Sequence, residues 1–315
     1  MRFEITVLGC NGALPGPRRH PSAHFFRSES TDILVDCGEG TQMRLQQAGL
    51  SMGRCELVLI THLHGDHYFG LPGLLTSLAL NGRTQPLSIV SPPGLRQRIG
   101  PLLELDRYGL PFPLAFKESA AETFAHLRSM GDVEVYYFPL RHRIATNGYL
   151  IKEKQREANM VKEAIDTYDI PWQAIAGIKG GNDFTTSDGR LIPHAELTVP
   201  APPPRSYAYC SDTEYFPELA EWVRGVNLLY HEATFLHDMA AEARDRGHST
   251  AREAAEIASA AMAERLILGH YSARYAHVDD HEREARALFP KSHAARDLYR
   301  YTVPYAGRQP TDNHD

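Results

Sequence analysis

Cysteine is scarce in this chain: four residues in 315, Cys10, Cys37, Cys55 and Cys210, with no Cys-x-x-Cys pair among them. That spacing excludes a disulfide framework and a thiolate zinc ribbon. In their apolar or strand-end settings the four read as reduced, buried thiols of a cytoplasmic protein. A positive balance is missing too, with 33 Lys and Arg against 39 Asp and Glu for a net charge of −6. Such a chain does not coat nucleic acid through its overall field, so any RNA contact falls to local basic patches. No apolar run approaches the roughly 18 residues of a membrane span. The start, Met1-Arg2-Phe3-Glu4-Ile5-Thr6-Val7, reads as a strand rather than as a signal peptide. Short-period repeats and an interdomain linker are likewise not found. What remains is a 43% hydrophobic composition, enough for one large α/β domain over 1–315.

The stretch 58–74 organises the rest. The apolar run Leu57 to Ile60 reads as a buried strand, and it ends in His62, His64, Asp66 and His67 before Gly65, Gly70 and Gly73 break the pattern. Four potential metal ligands in six residues are hard to explain by filler, because histidine titrates near neutrality and clusters where a metal or a proton is handled. Imidazole and carboxylate are the ligand types zinc takes at about 2.0–2.2 Å. His62 and His64, two apart at a strand end, can share one ion. Asp66 and His67, after the turn at Gly65, can reach a second, and such a pair suits a centre about 3.5–4 Å across.

Along the chain, Phe3 to Leu8 reads as a strand, and 24–28 with 31–36 as a hairpin ending at Asp36-Cys37-Gly38-Glu39-Gly40-Thr41-Gln42. Asp36 ends a strand and suits the cap of a helix starting near Glu39. Helices are expected over 71–80, after Ser91-Pro92-Pro93-Gly94, from about His237, over 251–263 and over 279–288. Strands are expected at 87–90, 133–140, 206–210, 227–230, 265–268 and 298–303. Thr250 and Glu253 form a capping box for the Ala-rich 251–263. Residues 152–204 change character, with a charged, helical pattern over 152–168 and then Pro171-Trp172-Gln173, Gly180-Gly181 and Pro202-Pro203-Pro204. So long an interval with little core-forming periodicity reads as an insert within the domain. Residues 306–315 read as a disordered tail.

His-x-His-x-Asp-His after a buried strand resembles the signature of the metallo-β-lactamase fold, an αββα sandwich. More narrowly, Asp36 to Gln42, Ser211-Asp212-Thr213, His231-Glu232-Ala233-Thr234 and His270-Tyr271-Ser272-Ala273-Arg274-Tyr275 are similar to elements of the ribonuclease Z family, the tRNA 3′-processing endonucleases. Ser211 stands where the family has Gly. The resemblance implies two zinc ions per subunit, one held by His62, His64 and His142, the other by Asp66, His67 and His270, with Asp212 between. It places Asp36 behind the histidines, Asp66 on the attacking hydroxide, and Glu232 with His248 as the acid for the leaving oxygen. It further implies a homodimer acting on precursor tRNA, with the insert as a flexible arm that grips the tRNA body. The family's Gly-Pro pair is absent from the tip of that arm, where Trp172 is a candidate for base stacking. Arg274, Tyr275, Arg18, Arg19 and the Pro92–Gly94 loop are further substrate candidates. The acidic charge and altered arm leave an alternative, a phosphodiesterase of the same fold acting on small phosphodiesters or other RNA.

Overall fold

Alternation within single strands decides the architecture. In Asp32–Val35, Ile33 and Val35 join one apolar cluster while Leu34 joins another; in Cys55–Leu59, Leu57 and Leu59 part from Val58 in the same way. A strand apolar on both faces needs cover on both, which makes its sheet an inner layer. The computed structural model describes residues 1–16, 19–305 and 309–314. It divides them into two compact units, the larger formed by Met1–Lys152, Arg205–Pro304 and the described residues from Gln309 onward.

This larger unit holds two sheets. One has eight strands in the order Asn313–His314, Tyr299–Thr302, Phe3–Gly9, Ala23–Ser28, Asp32–Val35, Cys55–Leu59, Leu87–Ser91 and Leu114–Glu118. The other has seven, in the order Ser292–Ala294, Arg265–Gly269, Leu228–Glu232, Ser206–Cys210, Thr146–Glu153, Val133–Leu140 and Ala125–Met130. Strands running from Asp32–Val35 to Leu114–Glu118 pair in parallel, as do those from Ser206–Cys210 to Ser292–Ala294. The inner faces meet in one core that includes Ile5, Val7, Ile33, Leu57, Phe138, Tyr149, Tyr209 and Tyr230. Helices Thr41–Gln47 and Leu71–Leu80 bury Leu45, Leu71, Leu74 and Leu75 on the outer face of the first sheet. Ala251–Ala260 buries Ala254, Ala255, Ile257 and Ala258 among the residues of the second. The expected αββα sandwich is therefore the fold.

Most expected elements fall within a residue or two of their places. The helix starting near Glu39 begins at Thr41, behind a left-handed Gly40, and Asp36 does not cap it. The charged stretch 152–168 is helical only over Lys162–Thr167, because Lys152 and Glu153 complete the strand Thr146–Glu153. The second unit, Glu153–Pro204 with Tyr305, gathers Ala164, Ile170, Ile178, Ile192 and Leu197 into a small core of its own. Trp172 opens its helix Trp172–Lys179 and is 78% exposed, so it does not pack into that core. Of the expected tail, 306–308 and Asp315 lie outside the described residues. Within the rest, Asn313–His314 pairs with Tyr299–Thr302, and Asp312 accepts from Thr302 N at 2.8 Å and from Arg265 at 2.6 Å. None of the helices described is long and apolar enough to cross a membrane.

Candidate metal centre and acid pair

Parallel strands release their side chains at one end of a sheet, and here two sheets do so toward the same place. Asp36 follows Asp32–Val35, His62 and His64 follow Cys55–Leu59, Asp212 follows Ser206–Cys210, Glu232 ends Leu228–Glu232 and His270 follows Arg265–Gly269. Ligands of open α/β sheets bind at such carboxyl ends. Three of these residues, Asp36, Asp212 and His270, have positive φ of 56°, 45° and 56°. Left-handed backbone at non-glycine residues is a strain that functional sites retain. Ser211, by contrast, keeps an ordinary backbone, so the missing glycine costs nothing there.

The histidines are aimed by their other ring nitrogen. His67 Nδ1 donates to Asp36 Oδ2 at 2.8 Å, His142 Nδ1 to the Gly247 carbonyl at 2.7 Å, and His62 Nδ1 lies 3.0 Å from Thr61 Oγ1. Thr234 Oγ1 donates to Glu232 Oε2 at 2.6 Å and so accepts from His270 Nδ1 at 3.0 Å. Each Nε2 is thereby left to face the interior, where His62 Nε2 lies 3.0 Å from His64 Nδ1 and His142 Nε2 lies 3.3 Å from it. The candidate donor atoms fall into groups within 4.8 Å of one another: His62, His64, His142 and Asp212; Asp66, His67 and His270; and Asp212, His248 and His270.

These residues fit divalent metal. His67 Nε2 is fully buried with no hydrogen-bond partner, yet it stands 3.2 Å from Asp212 Oδ1 and 3.4 Å from Asp66 Oδ2. Burial, reinforced by neighbouring imidazoles, pulls the pKa of His62 well down, and burial likewise lowers His64 and His142. Neutral imidazoles with inward lone pairs are the form a metal binds. Burial pushes Asp66 and Asp212 up, but the facing histidines outweigh it and hold both carboxyls ionised.

His248 differs from the rest. Its Nδ1 lies 2.8 Å from Glu232 Oε1, and Glu232 is completely buried. Burial lowers the imidazole, but the charge and hydrogen bond of Glu232 overcome it and raise the pKa to about 9. An imidazole whose Nδ1–H is held by a buried carboxylate can keep its proton and serve as an acid, whereas the carboxylates that face and raise His67 are themselves candidate ligands.

A cavity of about 570 Å³ opens over the cluster, lined by His64, Asp66, His142, Asp212, His248 and His270. Its rim adds side chains that the sequence did not single out, Leu14, Phe69, Arg143 and Arg246. The only local signal was Arg143 beside His142. Arg274 and Tyr275 are not among the lining residues: Arg274 pairs with Glu242 at 2.9 Å and covers Phe235, while Tyr275 accepts from Leu236 N at 3.1 Å. Arg19 is engaged with Asn11 Oδ1 and the Tyr275 carbonyl, and Arg18 lies outside the described residues. A larger groove of about 670 Å³, between Thr41–Gln47 and Leu71–Leu80, contains no cluster of titratable groups.

Comparison with known proteins bears on this geometry. Residues 3–100 match the family model described as anti-Pycsar protein Apyc1, and 196–271 match the beta-lactamase superfamily domain. The chain is 43% identical to ribonuclease Z of Porphyromonas gingivalis over 298 residues, 95% of this chain and 98% of that protein. It is 40% identical to ribonuclease Z of Bacteroides thetaiotaomicron, covering 96% of both. Among solved structures, the short form of human tRNase Z superposes with a TM-score of 0.69 at 28% identity, covering 96% of this chain and 99% of that one.

Proposed function

The chain belongs to the ribonuclease Z family, and from that membership we infer that it is a metal-dependent endoribonuclease that removes the 3′ trailer from precursor tRNA. The observation that carries the reading is one cavity lined both by members of the histidine–carboxylate cluster, His64, Asp66, His142, Asp212 and His270, and by His248, which the buried Glu232 holds from behind. Two zinc ions are our reading of the metal. His62, His64 and His142 would hold one, Asp66, His67 and His270 the other, and Asp212 would lie between them. Bound divalent cations supply Lewis acidity, lowering the pKa of water toward neutrality and offsetting phosphodiester charge.

The chain's own residues do the rest. Asp66 lines the cavity and accepts from Ala13 N at 2.7 Å. The facing histidines hold its carboxyl well below the usual carboxylate range, which makes it a weak base that orients the attacking water rather than keeping its proton. As the water oxygen bonds to phosphorus it releases a proton to solvent, from which His248 is later reprotonated, and the bond to the 3′-oxygen of the discriminator nucleotide breaks. His248, whose Nδ1 is fixed on Glu232, gives the proton on Nε2 to that oxygen. The tRNA leaves with a 3′-hydroxyl and the trailer with a 5′-phosphate. The homodimer, a grip of Glu153–Pro204 on the tRNA body and a cytoplasmic setting are parts of the same proposal. The four buried free thiols support the last of these.

The test is cleavage of a 3′-extended precursor tRNA by zinc-loaded protein, with Asp66→Ala as control and bis-p-nitrophenyl phosphate as a small parallel substrate. Cutting after the discriminator, lost in the variant, is expected. Turnover of the small diester with intact tRNA would replace this reading with a phosphodiesterase of small substrates.

A further inference from the structure

We propose that Tyr209 is a positioning residue of the metal centre, tying the metal-facing His67, through Asp36, to the opposite sheet. The inference rests on the reading of His67 as a ligand. Asp36 is fully buried, and its carboxylate is surrounded by donors: Thr61 N at 2.8 Å and Thr61 Oγ1 at 3.0 Å on Oδ1, His67 Nδ1 at 2.8 Å and Tyr209 OH at 3.1 Å on Oδ2. Tyr209 is the one donor that comes from the second sheet, where it lies on Ser206–Cys210, three residues before Asp212. Burial pushes its phenol well up, so the hydroxyl stays protonated and donates.

The ring has little freedom. It stacks on Tyr230 at 4.6 Å between centroids and 5° between planes, and it meets the edge of His24 at 4.9 Å. His24 Nδ1 is in turn 2.7 Å from Tyr207 OH. Tyr209 sits in the strand that precedes Asp212, Tyr230 in the strand that ends in Glu232, and His24 in Ala23–Ser28 of the first sheet, so the ring is held from both sheets. Asp36 itself stands on left-handed backbone at φ 56°, a conformation that holds only where surrounding contacts fix it. The phenol thus keeps Oδ2 turned toward His67, which sets the histidine's tautomer and keeps Nε2 pointing inward. Partners of this kind are worth about 10–100-fold in metal affinity.

Tyr209→Phe removes one oxygen and preserves the stack. The measurement is zinc affinity of the apoprotein by competition with a chromophoric chelator, alongside the absorption spectrum of the cobalt-substituted protein and a urea unfolding curve. The expected result is about 10–100-fold weaker zinc binding and altered cobalt bands with cooperative unfolding retained. Tyr207→Phe loses an equally buried phenol that does not touch Asp36, and it should bind zinc as wild type does. In an Asp36→Asn background, Tyr209→Phe should have no further effect. Wild-type affinity in Tyr209→Phe overturns the proposal, as do equal losses in Tyr207→Phe and Tyr209→Phe. A wild-type apoprotein that takes up no cation overturns it together with the metal reading. Neither readout depends on tRNA cleavage, so the proposed substrate fails or stands separately.

Discussion

Glu232 accepts from Thr213 N at 2.7 Å, Thr234 Oγ1 at 2.6 Å, Thr234 N at 3.2 Å and His248 Nδ1 at 2.8 Å. A buried carboxylate so thoroughly satisfied stays ionised and holds its histidine protonated up to about pH 9. Because the folded pKa of His248 is raised, its contribution to stability is full below the unfolded value of about 6.5 and is lost as pH rises through about 9. Acid catalysis follows the same sign. In Glu232→Gln, the alkaline limb of the kcat profile should move down from about 9 toward about 6.5, and kcat should fall by about 10²–10⁴-fold. An unmoved limb in a pH–rate series would remove His248 from the acid role. Phe69, 60% exposed, and Leu14, 61% exposed, both line the cavity and give it apolar surface near the candidate ligands. A base stacked there is worth about 1–3 kcal/mol. Phe69→Ala should therefore raise KM for precursor tRNA about 5–150-fold while turnover of bis-p-nitrophenyl phosphate persists, as steady-state kinetics on both substrates would register.

At the scale of elements, the helix Ala251–Ala260 begins with a complete capping box: the Thr250 hydroxyl accepts from Glu253 N at 3.2 Å, and Glu253 accepts from Thr250 N at 2.8 Å. Thr250→Ala should cost about 1 kcal/mol, read in calorimetry as a Tm lower by about 2–4 °C. The loop that carries the ligands is held differently. Gly70 N donates to the Cys37 carbonyl at 2.9 Å, and a Cβ on Gly70 would fall 2.1 Å from the Gly38 carbonyl oxygen. Backbone cannot yield as a side-chain tip does. Gly70→Ala is therefore expected to cost about 1–3 kcal/mol in urea unfolding and, by pushing the loop off Asp36, to weaken zinc binding as well. Elements with strong periodicity, such as Leu71–Leu80 and Val133–Leu140, were readable at once. Leu114–Glu118 and Ala125–Met130 were not, because half-exposed strands lack a clean alternation.

For the whole molecule, the metal centre joins ends of both sheets, so binding should stabilise the larger unit as one body. At a free metal concentration 100 times its Kd, a ligand bound only by the folded state adds about 2.7 kcal/mol. Exhaustive chelation should lower the melting temperature and abolish tRNA cleavage, and zinc should restore both. A melt indifferent to chelation would mean that the cluster holds no ion of consequence. Arg143 and Arg246 are the guanidinium groups lining the cavity, Arg246 while paired with Glu242 at 2.8 Å, and they offer a phosphate local positive charge on a chain of net charge −6.

The sequence by itself determined the αββα class, the strand-end position of the His-x-His-x-Asp-His loop and the chemistry of its donors. Those properties live in contiguous residues: ligand types packed into six positions after an apolar strand, through whose resemblance to the metallo-β-lactamase signature the αββα class was read. The contribution of Tyr209, 173 positions from Asp36, was decided only by the tertiary structure. So were the accepting role of Thr234 toward His270, the turn of Asp36 away from its helix, and the placing of Phe69 and Arg246 on the cavity while Arg274 turns to Glu242. Each of these depends on which strands lie side by side in each sheet and which sheet faces which. Local pattern fixes that a strand forms and which faces it buries; the partner its last side chain meets is fixed by the packing of chain segments far away in sequence.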